Sequence, residues 1–237
     1  MNIIDAVILL IILMFGTVGL KRGFFKQTVM TLGTLLVFYL AYKFKDPLAL
    51  LMSSVFPFFK FTGNFQGVSV LNVVLYQLLA FLIMLILFLI VLNILIKISG
   101  IIEKILKFTI VLGIPSKILG FIVGIIEGYV IVFVALFFLN QPAVNLEIIN
   151  ESKLMDKILD STPLLSNVIT DTNTAIKDIY SLSEKFIDNE NSNQLNLLTT
   201  DILLKYNVVD KEYIEKLVDN GKLSNVVGIE EILNKYK

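Results

Sequence analysis

The chain of 237 residues has no cysteine and no histidine. Without cysteine there is no thiol nucleophile and no disulfide. Without histidine a Ser-His-Asp relay is impossible, and most zinc sites lose their ligands. Other enzyme signatures are missing too. No glycine loop followed by Lys-Ser or Lys-Thr is present to cradle a phosphate. Two mid-membrane aspartates, the need of an intramembrane aspartyl protease, are absent. Ser116 and Lys117 adjoin in sequence, and helical neighbours at that spacing do not face each other. The residues therefore predict a protein that is not an enzyme, with no cofactor and no metal. No basic stripe marks a nucleic-acid surface.

Apolar residues make up 56% of the chain, and the mean hydropathy is +0.83. Both exceed what a soluble domain carries and point to a membrane protein. The net charge of zero hides a division. Residues 1–139 hold ten Lys and Arg against four acids, Asp5, Asp46, Glu103 and Glu127. Residues 140–237 hold ten Lys against sixteen acids. A basic, apolar front half thus meets an acidic, polar tail, with the expected boundary near Gln141-Pro142.

Four apolar runs have bilayer length: roughly 3–20, 24–42, 71–96 and 114–139. A span needs about 20 such residues. The first run has no basic leader and no small-residue cleavage site, so it reads as a retained helix. The fold class expected is all-α, with a four-helix transmembrane module over 1–140 and a helical polar tail over 141–237. Residues 46–59 are apolar but short and bounded by Pro47 and Pro57. They read as a separate interfacial or re-entrant helix rather than a fifth span. Lys21, Arg22, Lys26, Lys97, Lys104, Lys107 and Lys117 flank the first and third connections, against Lys43, Lys45 and Lys60 in the second. The excess predicts that these connections are cytoplasmic and that both termini are extracytoplasmic.

The tail shows helical periodicity from Leu165 to Phe186, with Pro163 suited to its first turn. A polar linker is expected near 188–194, and then a second helical cluster. There Asp210 is placed to cap a helix start and Gly221 to close its end.

Within the fourth run, Gly120, Gly124 and Gly128 recur every four residues and line one helix face. Such a face admits a neighbouring backbone closely, from the same chain or a second copy. A weaker step, Gly19 to Gly23, lies at the first connection. Glu127 stands beside the glycine face, near mid-membrane, where a carboxylate is costly. No Lys or Arg lies at comparable depth. Three readings follow: a carboxyl neutralised by desolvation, one wetted by a cavity, or one paired with a polar group of another span. Gln77 and Asn93 of the third run are the polar groups noted in that run. Asp5, near the outer end of the first run, is expected to reach interfacial water. Lys21, Arg22 and Gly23 form a tight cytoplasmic turn in which the cations can meet lipid phosphates.

The stretches "NIIDAVILLIILMFGTVGLKRGFFKQ" and "ILGFIVGIIEGYVIVFVALFFL" carry a resemblance. With Asp5 at the start of the first and Arg22-Gly23-Phe24 at its end, the chain resembles the colicin V production protein (CvpA) family of bacterial inner-membrane proteins. The tail resembles the extension of Gram-positive members. The resemblance implies a multi-pass protein of the bacterial cytoplasmic membrane, linked to toxin production or export and to the cell envelope. Lys117 fits the basic position before the Leu-Gly of the fourth span. Ser116 departs from the acid or Asn that commonly precedes it, and some branches carry Arg where Glu127 stands. Some relatives fuse the membrane module to an extracytoplasmic protease, which agrees with an external tail. The expected partners are the lipid bilayer, a second copy through the fourth span, and an extracytoplasmic protein met by the tail. The competing expectation is an oligomeric channel or transporter with Glu127 in a polar pathway.

Overall fold

The computed structural model describes residues 2–98, 101–140, 152–161, 166–186 and 191–236. Among these the regular structure is helical, with no strand. The long helices are α1 (Ile3–Arg22), α2 (Phe24–Val55), α3 (Leu71–Ile98) and α4 (Ile101–Leu139). The shorter ones are α5 (Lys153–Ser161), α6 (Ser166–Phe186), α7 (Ser192–Lys205), α8 (Lys211–Asp219) and α9 (Ile229–Leu233). The four long helices each contain a segment long and apolar enough to cross a membrane; in α4 it is Gly113–Leu139. At Gly113 the backbone leaves the helix, with φ 52° and ψ −130°, two residues before Pro115. Glycine tolerates that φ, and proline then restarts a helix whose early N–H groups have no partner to lose.

The second helix is longer than the sequence suggested. Residues 46–59 hold no separate helix; α2 runs unbroken through Pro47 to Val55. Proline removes one backbone donor, so the helix forgoes one bond to the Lys43 carbonyl but need not stop. At 32 residues α2 is about 48 Å long, and α3 at 28 residues about 42 Å. A hydrocarbon core is about 30 Å thick, so both helices exceed a single crossing.

The chain forms two compact units, and neither is contiguous. The first comprises Met1–Ala41 and Leu85–Ser166. The second comprises Tyr42–Met84 and Asn167–Lys237. The expected boundary at Gln141-Pro142 lies outside the described residues.

In the first unit α1 packs along α4. Asn2 caps α1 in a reciprocal box with Asp5, while Lys21 and Arg22 occupy its negative last turn. A single residue, Gly23 (φ 76°, ψ 167°), separates α1 from α2, and its N–H still donates to Gly19 O at 2.9 Å.

In the second unit the tail packs against the end of α2 and the start of α3. One core joins Ala49, Val73, Tyr76 and Ala80 to Leu203, Tyr213, Ile214, Leu217, Leu223 and Leu233. Two buried asparagines staple it. Asn72 accepts from Phe59 N at 2.7 Å and donates to the Phe59 and Ser69 carbonyls at 3.0 Å each. Asn196 of α7 accepts from Val70 N at 3.0 Å and Ser69 Oγ at 3.1 Å, and donates to Gly67 O at 2.8 Å and Ser192 O at 2.7 Å. Both amides use donor and acceptor alike, which offsets the cost of burying them.

The tail has the helical character expected, with local differences. α7 begins at Ser192 with Asn191 as its cap, so residues 192–194 are helix rather than linker. Residues 188–190, like Pro163, lie outside the described residues. Asp210 occupies the cap position of α8 but its side chain makes no capping bond. Gly221 (φ 70°) closes α8 as expected: its N–H donates to Val218 O, and Lys222 N to Leu217 O, both at 2.9 Å.

Candidate functional site

The glycine face of α4 is filled by α1 of the same chain. A Cβ built on Gly19 would strike the carbonyl of Gly120 and come within 3.1 Å of Gly124 Cα. One on Gly120 would strike Gly19 O and lie 2.7 Å from Gly23 C. One on Gly124 would strike Phe15 O, and one on Gly128 would sit 2.8 Å from Phe15 Cβ. Two backbones are thus in direct contact, an approach only glycine permits. Gly16 and Gly19, seven and four residues before Gly23, supply the facing side of the seam. A second copy using the fourth span would need another face of the helix.

This approach sets α4 beside the turn. Ser116 of α4, 2% exposed, accepts from Phe24 N at 3.1 Å and so caps the start of α2. Gly23 is buried in this turn, and Lys21 is exposed. One helical turn into α2 begins the group that receives Glu127.

Glu127 is 6% exposed and Gln27 0%. Gln27 Nε2 donates to Glu127 Oε2 in a very short bond. Thr31 Oγ1 donates to the same oxygen at 3.3 Å, and Thr34 Oγ1 to Oε1 at 3.2 Å. Arg22 Nη1 donates to Gln27 Oε1 at 3.3 Å. That last bond fixes the amide: its oxygen faces the cation, so its nitrogen faces the carboxyl. Among the described residues Glu127 makes no ion pair, but one amide connects it to Arg22. A mid-membrane carboxylate costs about 2.5–3.5 kcal/mol to place. Each hydrogen bond the carboxyl accepts offsets part of that cost. Three donors on two oxygens thus satisfy the carboxyl where it is buried.

Of the three readings of Glu127, pairing with another span describes this geometry, and the span is α2 rather than α3. Gln77 and Asn93 take no part. Gln77 instead donates to Asp46 at 2.7 Å, beside the Lys45–Asp46 ion pair at 2.7 Å. Asn93 is exposed and donates to Leu89 O of its own helix at 2.8 Å. The residues missed are Gln27, Thr31 and Thr34. Their spacing of four and three places them on one face of α2, a signal present in the sequence.

Asp5 is also placed otherwise than expected. It is 5% exposed and does not rest in interfacial water. Its Oδ1 accepts from Ser152 Oγ at 2.6 Å and Leu154 N at 3.2 Å, while Oδ2 accepts from Asn2 N at 3.1 Å. Ser152 Oγ in turn accepts from Met155 N at 3.1 Å. One carboxylate thus closes the starts of both α1 and α5, where helix dipoles favour negative charge.

The described site is a hydrogen-bonded clamp: a glycine seam, a capped turn, and a carboxyl held by three donors. Neither a curated protein nor a solved structure matches the chain. The sequence pattern of the family described as Colicin V production protein does match, over residues 4–163. That range contains the α1–α4 seam, the Glu127 clamp and the Asp5 junction with α5. With four helices fit to cross a membrane, this is a multi-pass membrane protein, and the chain belongs to the colicin V production protein family.

Proposed function

We propose that the chain is a non-enzymatic scaffold or accessory factor that supports toxin export or envelope homeostasis. The observation that carries this reading is the shared core of the second unit. Helices α7–α9 do not trail from the membrane module; they pack against the end of α2 and the start of α3. An extramembrane platform rooted in two spans suits the holding of a partner. The Glu127 clamp supports the same reading, because its hydrogen bonds give the carboxyl a structural role. Four crossings put the chain start, the α2–α3 connection and the tail on one side, and the basic turn at Lys21-Arg22 faces the cytoplasm by the positive-inside rule.

Secretion of a colicin V-type toxin from a deletion strain tests this reading. Wild type and Glu127→Gln are expected to restore output. A variant carrying Lys at the exposed positions Glu212, Glu230 and Glu231 should lose it while remaining folded. Removal of the whole tail is a poorer test, since it would uncover the core. If Glu127→Gln abolishes output and the surface variant retains it, the channel or transporter reading takes over.

A further inference from the structure

The second unit carries a cleft that neither the family nor the scaffold reading assigns. Its volume is about 790 Å³, within the range of small-molecule sites. Phe58, Phe59 and Phe61 line it, and Lys60, Lys222 and Asn225 contribute polar groups. None of the lining residues is acidic, although the tail that supplies Lys222 carries sixteen acids against ten lysines. Among the described residues neither Lys60 nor Lys222 makes an ion pair, whereas Lys45, Lys211, Lys216 and Lys235 do. Two unpaired cations therefore share one concave surface.

A second cleft of about 320 Å³ adjoins it. Phe58 and Phe59 line both, and Met52, Phe56 and Leu79 complete an apolar lining. Phe56 and Phe59 are 53% and 54% exposed, so their rings are open to a ligand at the surface. The backbone beneath is not loose: Asn72 holds Phe59 at both its N–H and its carbonyl. The arrangement is a fixed aromatic ridge with a cationic cleft on one side and an apolar cleft on the other.

We infer that this double cleft binds an anionic amphiphile, an acyl chain ending in a carboxylate or phosphate. Lys60 and Lys222 take the anion, and the chain lies over Phe59 into the apolar cleft. Charge complementarity selects the anion, and the shared Phe58-Phe59 ridge selects a ligand with both chemistries. The inference does not depend on the scaffold reading.

The chain has no tryptophan, so Phe59→Trp creates a single reporter in the shared wall. Phe61→Trp serves as a second reporter should the first disturb the fold. The full-length protein is placed in phosphatidylcholine nanodiscs and titrated with dibrominated stearate. Saturable quenching is expected, weakened about tenfold or more when Lys60→Gln and Lys222→Gln are added. Dibrominated phosphatidylglycerol quenching in the same lysine-dependent way identifies a phospholipid as the source; quenching by stearate alone identifies a free fatty acid. Equal quenching by dibrominated phosphatidylcholine would show a wall lying in the bilayer and overturn the proposal. Absence of quenching with both reporters, indifference to the lysine changes, or full displacement by inorganic phosphate would overturn it equally.

Discussion

Gly19 and Gly33 are both helical glycines in the first unit, yet a methyl group would meet different things at each. At Gly19 it strikes the backbone carbonyl of Gly120, which cannot move without displacing a helix. At Gly33 it meets the Leu92 side chain at 3.0 Å, which can rotate away. Gly19→Ala should therefore destabilise the protein by about 1–3 kcal/mol. Gly33→Ala should be near neutral, since alanine's better helix propensity offsets a small clash. Unfolding in mixed micelles, followed by circular dichroism, separates the two. Glu127 admits a similar comparison. Glu127→Leu strands Gln27 and Thr31 in a buried place and should cost about 2–3 kcal/mol or more. Glu127→Gln keeps an acceptor for the Gln27 amide and should cost less in the same assay.

Helix ends show how far side-chain chemistry can be read before a structure exists. Asp210 and Gly221 flank α8, and both were legible as end signals. Only the glycine's geometry forms: its φ of 70° is one that L side chains rarely adopt, while the Asp210 carboxylate leaves α8 uncapped. Gly221→Ala is thus expected to lower the melting stability by about 1–2 kcal/mol, and Asp210→Ala by less than about 0.5 kcal/mol. The four spans were legible because twenty apolar residues in a row have few other meanings. The end of α2 was not. Pro47, Lys43, Lys45 and Asp46 look like a stop, and nothing local shows that Gln77 will meet Asp46 or that α7–α9 will cover the helix. The seam was half legible: the glycines of α4 stood out in strict register, while those of α1 are spaced three and four apart. The clamp was visible as spacing on α2, but no local rule says which face of α2 meets α4.

For the molecule as a whole, two measurements follow. The first concerns alkaline pH. Burial, with lesser help from Asp46 and Tyr76, raises the Tyr213 phenol well above its ordinary value, and burial with the Asp201 bond raises that of Tyr236. The folded protein keeps these protons where the unfolded chain loses them, above about pH 10. Stability is accordingly full below that pH and falls as pH rises toward the folded values. The Tyr213 hydroxyl also has no hydrogen-bond partner among the described residues. Tyr213→Phe should therefore be at least as stable as wild type at neutral pH, and should shift the alkaline unfolding midpoint upward. The second is topology. The chain has no native cysteine, so single cysteines at Lys21 and Glu212 can be labelled on a clean background. The cysteine at 212 should react in intact cells and the one at 21 only after permeabilisation; the reverse would invert the proposed orientation.

The core that joins residues 49–80 to residues 179–233 also sets an order in time. Synthesis delivers α2 and α3 long before α7–α9, so the nascent hairpin emerges with Val73, Tyr76 and Ala80 uncovered. Roughly half the chain must still be translated before Leu217, Leu223 and Leu233 arrive to cover them. Contacts so distant in sequence close slowly, and an apolar hairpin left waiting is open to aggregation or to a chaperone. A message truncated before Leu203 would leave a membrane-inserted product with most of that core missing, a ready substrate for quality-control proteolysis.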